Sequence, residues 1–374
     1  MRIAIDARGL LPQATGIGTY TRGIAGALAG LKGATVGLFS PRPLPEGRER
    51  GPWTVFADSH PFGMLWAQTT LPARARRWGA DVLLSALTIG PFSAEDPPFV
   101  SVVHDLTPWT HPEWHARRTL VGFLPLWERT LERAARLLCV SETTARELVE
   151  RYPEAAPRVR VARNGVEADL SPGPWPPGAE AEKTRRQHAN GARFLLSLST
   201  LEPRKNIESL VLACERLWSR RRSRPDLVLA GGVGWKSAPL LRRIGRSAFR
   251  DKIHVLGYTP PRAARELYRA AEAFVYPSLS EGFGLPVLEA MACGVPVVAS
   301  TAAALVEVGG DAALYAPSGD VAELARQIER ALEDEPLRAR LRAAGPPRAA
   351  QFSWAAAAEA TAGVLQEAIR ERHP

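Results

Sequence analysis

Two series of short, continuously apolar runs alternate with helix-length stretches along this 374-residue chain. The first series is Arg2–Ala7 (RIAIDA), Thr35–Ser40 (TVGLFS), Asp81–Ala86 (DVLLSA), Phe99–Asp105 (FVSVVHD), Arg136–Ser141 (RLLCVS) and Arg158–Val166 (RVRVARNGV). Stretches between them, such as TYTRGIAGALAGL and ETTARELVERY, carry helical periodicity. A strand that is apolar on both faces needs cover on both, so the pattern predicts parallel sheets flanked by helices. Asp169–Lys183 (DLSPGPWPPGAEAEK) breaks the pattern with proline and glycine and reads as a linker. A second series follows: RFLLSLS, DLVLAGG, KIHVLGY, AFVYPS, PVVAS and AALYAP. The expected chain is α/β, with domains over 1–170 and 186–352 joined by 171–185. A ligand is expected in the cleft between the domains, at the carboxyl ends of their strands. The tail FSWAAAAEATAGVLQEAIRER, Phe352–Arg372, is a strong helix former beyond the last strand, and a C-terminal helix is expected over 353–374.

Composition removes several function classes. With 45% hydrophobic and 23% charged residues the chain is globular. No apolar run approaches the roughly 18 residues of a membrane span, and the start MRIAIDARGLL reads as a strand rather than a signal peptide. Cys139, Cys214 and Cys293 have apolar neighbours and no metal-ligand spacing, which suits buried thiols in a reducing, cytoplasmic setting. The net charge of +9, from 48 basic and 39 acidic residues, suits a phosphorylated ligand, an anionic membrane surface or nucleic acid. The arginines are dispersed over helices such as Leu126–Leu138, and no nucleic-acid-binding motif occurs, so no nucleic-acid partner is expected.

Four motifs carry chemistry. In TGIGTYT, Gly16 and Gly18 would let backbone approach a phosphate at a helix start. A dinucleotide site would also want an acid ending the second strand, and that strand ends GLFSPRP without one. His104 and Asp105 end an apolar strand, where a ligand would lie; His111 and His115 read as loop residues. Arg204 and Lys205, in SLSTLEPRKNIESL, are cations beside helix-terminal amides and so form an expected anion site. Finally, SLSEGFGLPVLEAMACGVPVVAS sets Glu281 before a turn through Gly282 and Gly284, with Pro286 in the first turn of a helix and Glu289 about one turn in. Two carboxylates to accept from hydroxyls, with amides and cations to hold phosphates, describe the binding site of a nucleotide sugar.

With those residues in place, the chain resembles the retaining glycosyltransferases of family 4, group 1, which have the GT-B fold. The resemblance runs through GIGTYTR, VVHDLTP, CVSETTARELVERY, RVRVARNGV, LSTLEPRKN, LVLAGGVGW, VLGYTPPRAARELYRAA and EGFGLPVLEAMACGVPVVAS, in the family's order. It implies two Rossmann-like domains with an inter-domain cleft, and a C-terminal helix crossing back to the first. It implies that Glu281 meets the hydroxyls of the donor sugar, Glu289 the ribose, and the amides of Phe283, Gly284 and Leu285 the sugar and phosphate. Lys205 matches a diphosphate-binding lysine, His104 a histidine close to the transferred sugar, and Gly16 and Gly18 a loop that closes on the donor. Many relatives carry an arginine where this chain has Ser199 and Thr200, so Arg204 is expected to supply the second cation. The loop STAAALVEVGGD also departs from the family pattern, while LEPRKN resembles mannosyltransferases that use GDP-mannose.

The expected activity is therefore metal-independent transfer of a hexose, from GDP-mannose in preference to a UDP-sugar, to a glycan or lipid-linked acceptor. No cofactor is expected, the nucleotide sugar being a substrate, and no Asp-x-Asp is present to clamp a metal diphosphate. Asp105 and Trp109 are acceptor-side candidates. Trp109, Trp114, Phe123 and Trp127, interleaved with Arg117, Arg118, Arg129 and Arg133, either pack in a core or touch a membrane-surface acceptor. The rival readings are a non-catalytic subunit that binds nucleotide sugar and a sugar epimerase of the same fold.

Overall fold

A computed structural model describes residues 1–11, 16–92, 97–174 and 178–372, without the side chains of 118, 119 and 372. The chain falls into two compact units, Met1–Gly165 with Phe352–Pro374, and Val166–Gln351.

The first unit is built on a parallel sheet of β1 (Arg2–Asp6), β2 (Thr35–Ser40), β3 (Thr54–Ala57), β4 (Val82–Ser85), β5 (Phe99–Val103), β6 (Arg136–Cys139) and β7 (Val159–Val161). Among the described residues the order is β3-β2-β1-β4-β5-β6-β7. The strands β4, β5 and β6 are buried at every position, as the doubly covered pattern requires. β3, whose residues are exposed or only half buried, is an edge strand that the apolar pattern does not reveal.

The C-terminal helix Trp354–Arg372 belongs to this first unit and packs on the helix Gly16–Ala29. Gly23 is the point of closest approach: a Cβ there would lie 2.2 Å from the Trp354 ring. The carboxylates of Glu367 and Glu371 accept from the buried Arg136 guanidinium of β6, the Glu367 contact at 2.9 Å.

The second unit is built on a parallel sheet of β8 (Phe194–Leu198), β9 (Asp226–Ala230), β10 (Ile253–Gly257), β11 (Ala273–Tyr276), β12 (Val297–Ser300) and β13 (Ala313–Ala316). Its order, β10-β9-β8-β11-β12-β13, reverses direction between β8 and β11, where doubly wound sheets open a crevice at their carboxyl ends.

The back half of the expected linker is not irregular. Ala179–Ala189 is a helix, because AEAEK follows the prolines with good helix formers and acids in its first turn. Arg185 of that helix donates to the buried Glu272 carboxylate at 2.8 Å, and Arg193 and Arg338 join it at 2.8 and 2.9 Å. Among the described residues, no helix is long and apolar enough to cross a membrane.

Candidate active site

In the second unit, the segments after β8 and β11 bring the sequence-selected residues together. After β8 the backbone makes a short 3-10 turn, Pro203–Lys205, and Asn206 takes φ of 51° before the helix Ile207–Arg220 begins. This turn points the Lys205 side chain inward, where it is buried. After β11 the chain runs through the glycine turn to Gly284, whose φ of 107° caps the helix Leu285–Ala292. Only glycine serves there, since a Cβ would lie 2.5 Å from Leu305 as well as in the left-handed region. The N-cap residue Gly284 has no side chain with which to cap the helix, so its first turn lacks an N-cap side-chain bond.

Glu281 stands between the two turns and joins them. Lys205 Nζ donates to Glu281 Oε1 at 2.5 Å, and Arg204 Nη1 donates to Glu281 Oε2 at 2.8 Å. Burial alone would raise the Glu281 carboxyl, but the Arg204 guanidinium and then the Lys205 ammonium outweigh it and hold it at about 2. Lys205 also donates to the Tyr276 hydroxyl at 2.9 Å, which uses two of its three N–H groups. Burial, then the adjacent guanidinium, pulls Lys205 below the ordinary lysine range against the attraction of Glu281 and Glu202.

Glu202 is a member that the sequence did not announce. It is buried, and its carboxylate accepts from Arg204 Nε at 3.1 Å. Burial raises its carboxyl, with Arg204 and Lys205 opposing. The expected pair of open cations is thus a closed set of two cations and two carboxylates, together with the Tyr276 hydroxyl.

Glu289 lies apart from that set, on the helix. Its Oε2 accepts from the buried Tyr268 hydroxyl at 2.9 Å. Glu289 is half buried. Burial raises its carboxyl to about 7, with the Tyr268 hydrogen bond opposing and Glu167 adding to the rise. Tyr268 lies within VLGYTPPRAARELYRAA but is not singled out there as a site residue, and Tyr276 belongs to none of the family motifs. The only sequence signal for Tyr276 is its place at the end of the apolar run AFVYPS.

In the first unit, His104 follows β5 and its Nε2 donates to the Ala86 carbonyl at 2.8 Å, leaving Nδ1 as an acceptor. Burial lowers its pKa against that hydrogen bond and the Asp105 charge, so the ring is neutral near pH 7. Tyr20 meets His104 edge to face, with ring centres 5.0 Å apart, and meets Trp354 at 6.0 Å. Asp105 Oδ1 accepts from the Thr107 amide at 3.0 Å and the Thr107 hydroxyl at 2.6 Å, and so fixes the turn after the strand. Trp109 leans on Trp127 at 4.8 Å and Phe123 at 5.3 Å, within an aromatic cluster against the core. Gly16 and Gly18 are the first and third residues of a helix, at the helix start read from TGIGTYT, and a Cβ at Gly16 would meet nothing within 4 Å.

Two family models match this chain in succession: Glycosyltransferase Family 4 over residues 14–170 and Glycosyl transferases group 1 over residues 179–348. The chain belongs to the family 4, group 1 glycosyltransferases. O-antigen chain mannosyltransferase B of Escherichia coli is 35% identical to this glycosyltransferase over 255 residues, 68% of this chain and 66% of that protein. Serotype-specific mannosyltransferase WbdA of Escherichia coli is 32% identical over 68% of this chain, and the match spans only 32% of that longer protein. In three dimensions, HepE of Anabaena, solved in complex with UDP and glucose, covers 98% of this glycosyltransferase and 99% of its own chain at a TM-score of 0.76 and 21% identity. That likeness shows the GT-B fold, with its two Rossmann-like halves.

Proposed function

We propose that this glycosyltransferase moves a hexose, with retention and without a metal, from a nucleotide-diphosphate sugar to a glycan or lipid-linked acceptor. GDP-mannose is the favoured donor and a UDP-sugar the other candidate. The observation that carries this reading is Glu281, ionised and held by Lys205 and Arg204 beside the uncapped start of the helix Leu285–Ala292. The mannosyltransferase names of its relatives support the choice of sugar.

In this reading the diphosphate lies at the helix start, among the amides of Phe283, Gly284 and Leu285. As the glycosidic bond breaks, charge gathers on the departing diphosphate. Fixed amides and the Lys205 and Arg204 cations meet it without reorganising. Glu281 accepts from donor-sugar hydroxyls and fixes the sugar's orientation. Glu289 accepts from the ribose, with Tyr268 steadying its other side. Neutral His104 offers Nδ1 to a hydroxyl of the transferred sugar. No cofactor takes part. The basic surplus gives a weak peripheral contact with the anionic inner face of the membrane, where a lipid-linked acceptor would lie.

The test incubates the purified protein with GDP-mannose or UDP-glucose in excess EDTA and follows donor cleavage and product anomer by NMR. The expected result is faster turnover of GDP-mannose, undiminished by EDTA, with the donor's anomeric configuration kept in the product. Loss of turnover in EDTA with recovery on adding a divalent metal, or an inverted product, overturns the mechanism. Binding of both donors without any turnover supports a non-catalytic subunit instead.

A further inference from the structure

The edge of the first unit's sheet carries a cavity of about 680 Å³, between β3 and the helix Gly63–Trp78, that the reaction does not use. It lies at the far end of the sheet from His104. Four strand spacings separate β3 from β5, roughly 19 Å at about 4.8 Å each. Its volume is in the range that takes a ligand of a few rings. We infer that this cavity is a second glycan-binding site, one that holds a saccharide chain away from the reacting end.

The walls favour a sugar. Phe39 and Phe56 stack at 4.7 Å on paired positions of β2 and β3, and Trp78 meets them at 5.8 and 5.7 Å. These rings are braced. Gly37 leaves room for Trp78, since a Cβ there would lie 3.1 Å from the ring, and Arg2 donates to the Trp78 carbonyl at 3.0 Å. Phe39 is buried and backs the other two, so the half-buried Phe56 and Trp78 are the rings that can offer an electron-rich face to the C–H face of a pyranose.

Polar groups stand around the rings, and three of them are held in place. Asp58 accepts from Trp66 Nε1 at 2.7 Å and pairs with Arg74, which gives a fixed carboxylate and guanidinium side by side. Thr69 spends its hydroxyl proton on the Leu65 carbonyl at 2.9 Å and so turns lone pairs outward. Arg77 is exposed and makes no hydrogen bond or ion pair among the described residues. Fixed donors and acceptors on Asp58, Arg74 and Thr69, with the open Arg77 guanidinium beside them, match vicinal hydroxyls.

Other occupants fit less well. A lipid chain would meet Asp58, Arg74 and Arg77 in the wall. A nucleoside diphosphate would find a carboxylate and the middle and C-terminal turns of a helix, not the N-terminal amides that phosphates seek. The identity of the glycan rests on the proposed function, since an enzyme that lengthens a chain makes a ligand that reaches beyond one reacting sugar.

Calorimetric titration of the intact protein with mannotetraose, maltotetraose and galactotetraose tests the assignment. Two variants accompany it: Ala73→Trp, which fills the cavity from the helix, and Arg77→Ala, which removes the open guanidinium. Mannotetraose should bind wild type, and each variant should weaken that binding at least tenfold while leaving the melting temperature and GDP binding unchanged. Binding of one of the other tetraoses, with the same sensitivity to both variants, upholds the cavity and removes mannose from the proposed function. Failure of all three to bind wild type, or binding that neither variant affects, overturns the assignment.

Discussion

Replacing Glu281 by glutamine removes the charge that two buried cations share. In the folded chain this carboxyl sits at about 2 rather than the usual 4.5, because Arg204 and Lys205 outweigh the cost of burial. At roughly 1.4 kcal/mol per tenfold, that gap corresponds to about 3 kcal/mol of stability at neutral pH. The range of about 3–5 kcal/mol found when one partner of a buried pair is deleted agrees with it. For a unit the size of Val166–Gln351, each kcal/mol moves the melting temperature by about 2–4 °C, so Glu281→Gln should melt roughly 6–12 °C below wild type.

The pH dependence has a definite sign. The carboxyl is depressed on folding, so its contribution is complete above about 4.5. It fades as pH falls toward about 2, and the gap between wild type and variant should narrow with it. The variant also leaves Lys205 and Arg204 with one carboxylate fewer, so GDP should bind at least as tightly as in wild type while sugar transfer falls steeply. Calorimetry with and without GDP at pH 7.5 and 4 measures both effects. A variant that melts within about 2 °C of wild type at pH 7.5, or that loses GDP affinity, refutes the reasoning.

Glu289→Gln should behave in the opposite sense. Burial raises this carboxyl to about 7, so its ionisation costs the fold increasingly as pH rises from 4.5 through 7, and the variant should gain melting temperature over wild type at pH 8 but not at pH 5. A lower melting temperature than wild type at pH 8 would sink that account. Gly23→Ala should destabilise the first unit by about 1–3 kcal/mol in urea, since the added methyl meets the Trp354 ring at 2.2 Å. Unchanged stability would mean that the C-terminal helix can step aside.

The strands were legible because parallel strands covered on both faces are apolar at every position, which short runs such as RLLC and AFVY display directly. β3 was not, since TVFA at an edge is only half buried and has no such signature. The helix Ala179–Ala189 hid behind the prolines that precede it. TGIGTYT places Gly16 and Gly18 at a helix start, and there they lie; the closing loop comes only from the family resemblance. In the site, the motifs named Arg204, Lys205, Glu281 and Glu289 but not what holds them. Glu202, Tyr268 and Tyr276 become partners only through folding, and no local spacing encodes a contact between β11 and the turn after β8. Gly23 is the same lesson in the first unit. A glycine inside a helix costs about 1 kcal/mol relative to alanine. Its reason lies more than 300 residues away, at Trp354.

The central claim is that Lys205 and the helix start at Gly284 form a diphosphate site. Titrating GDP and GMP into wild type and Lys205→Ala tests it most directly, because the two ligands differ only in the terminal phosphate. The account predicts that wild type binds GDP at least tenfold more tightly than GMP and that Lys205→Ala brings the two affinities together. Equal affinities in wild type, or an undiminished preference for GDP in Lys205→Ala, would contradict it.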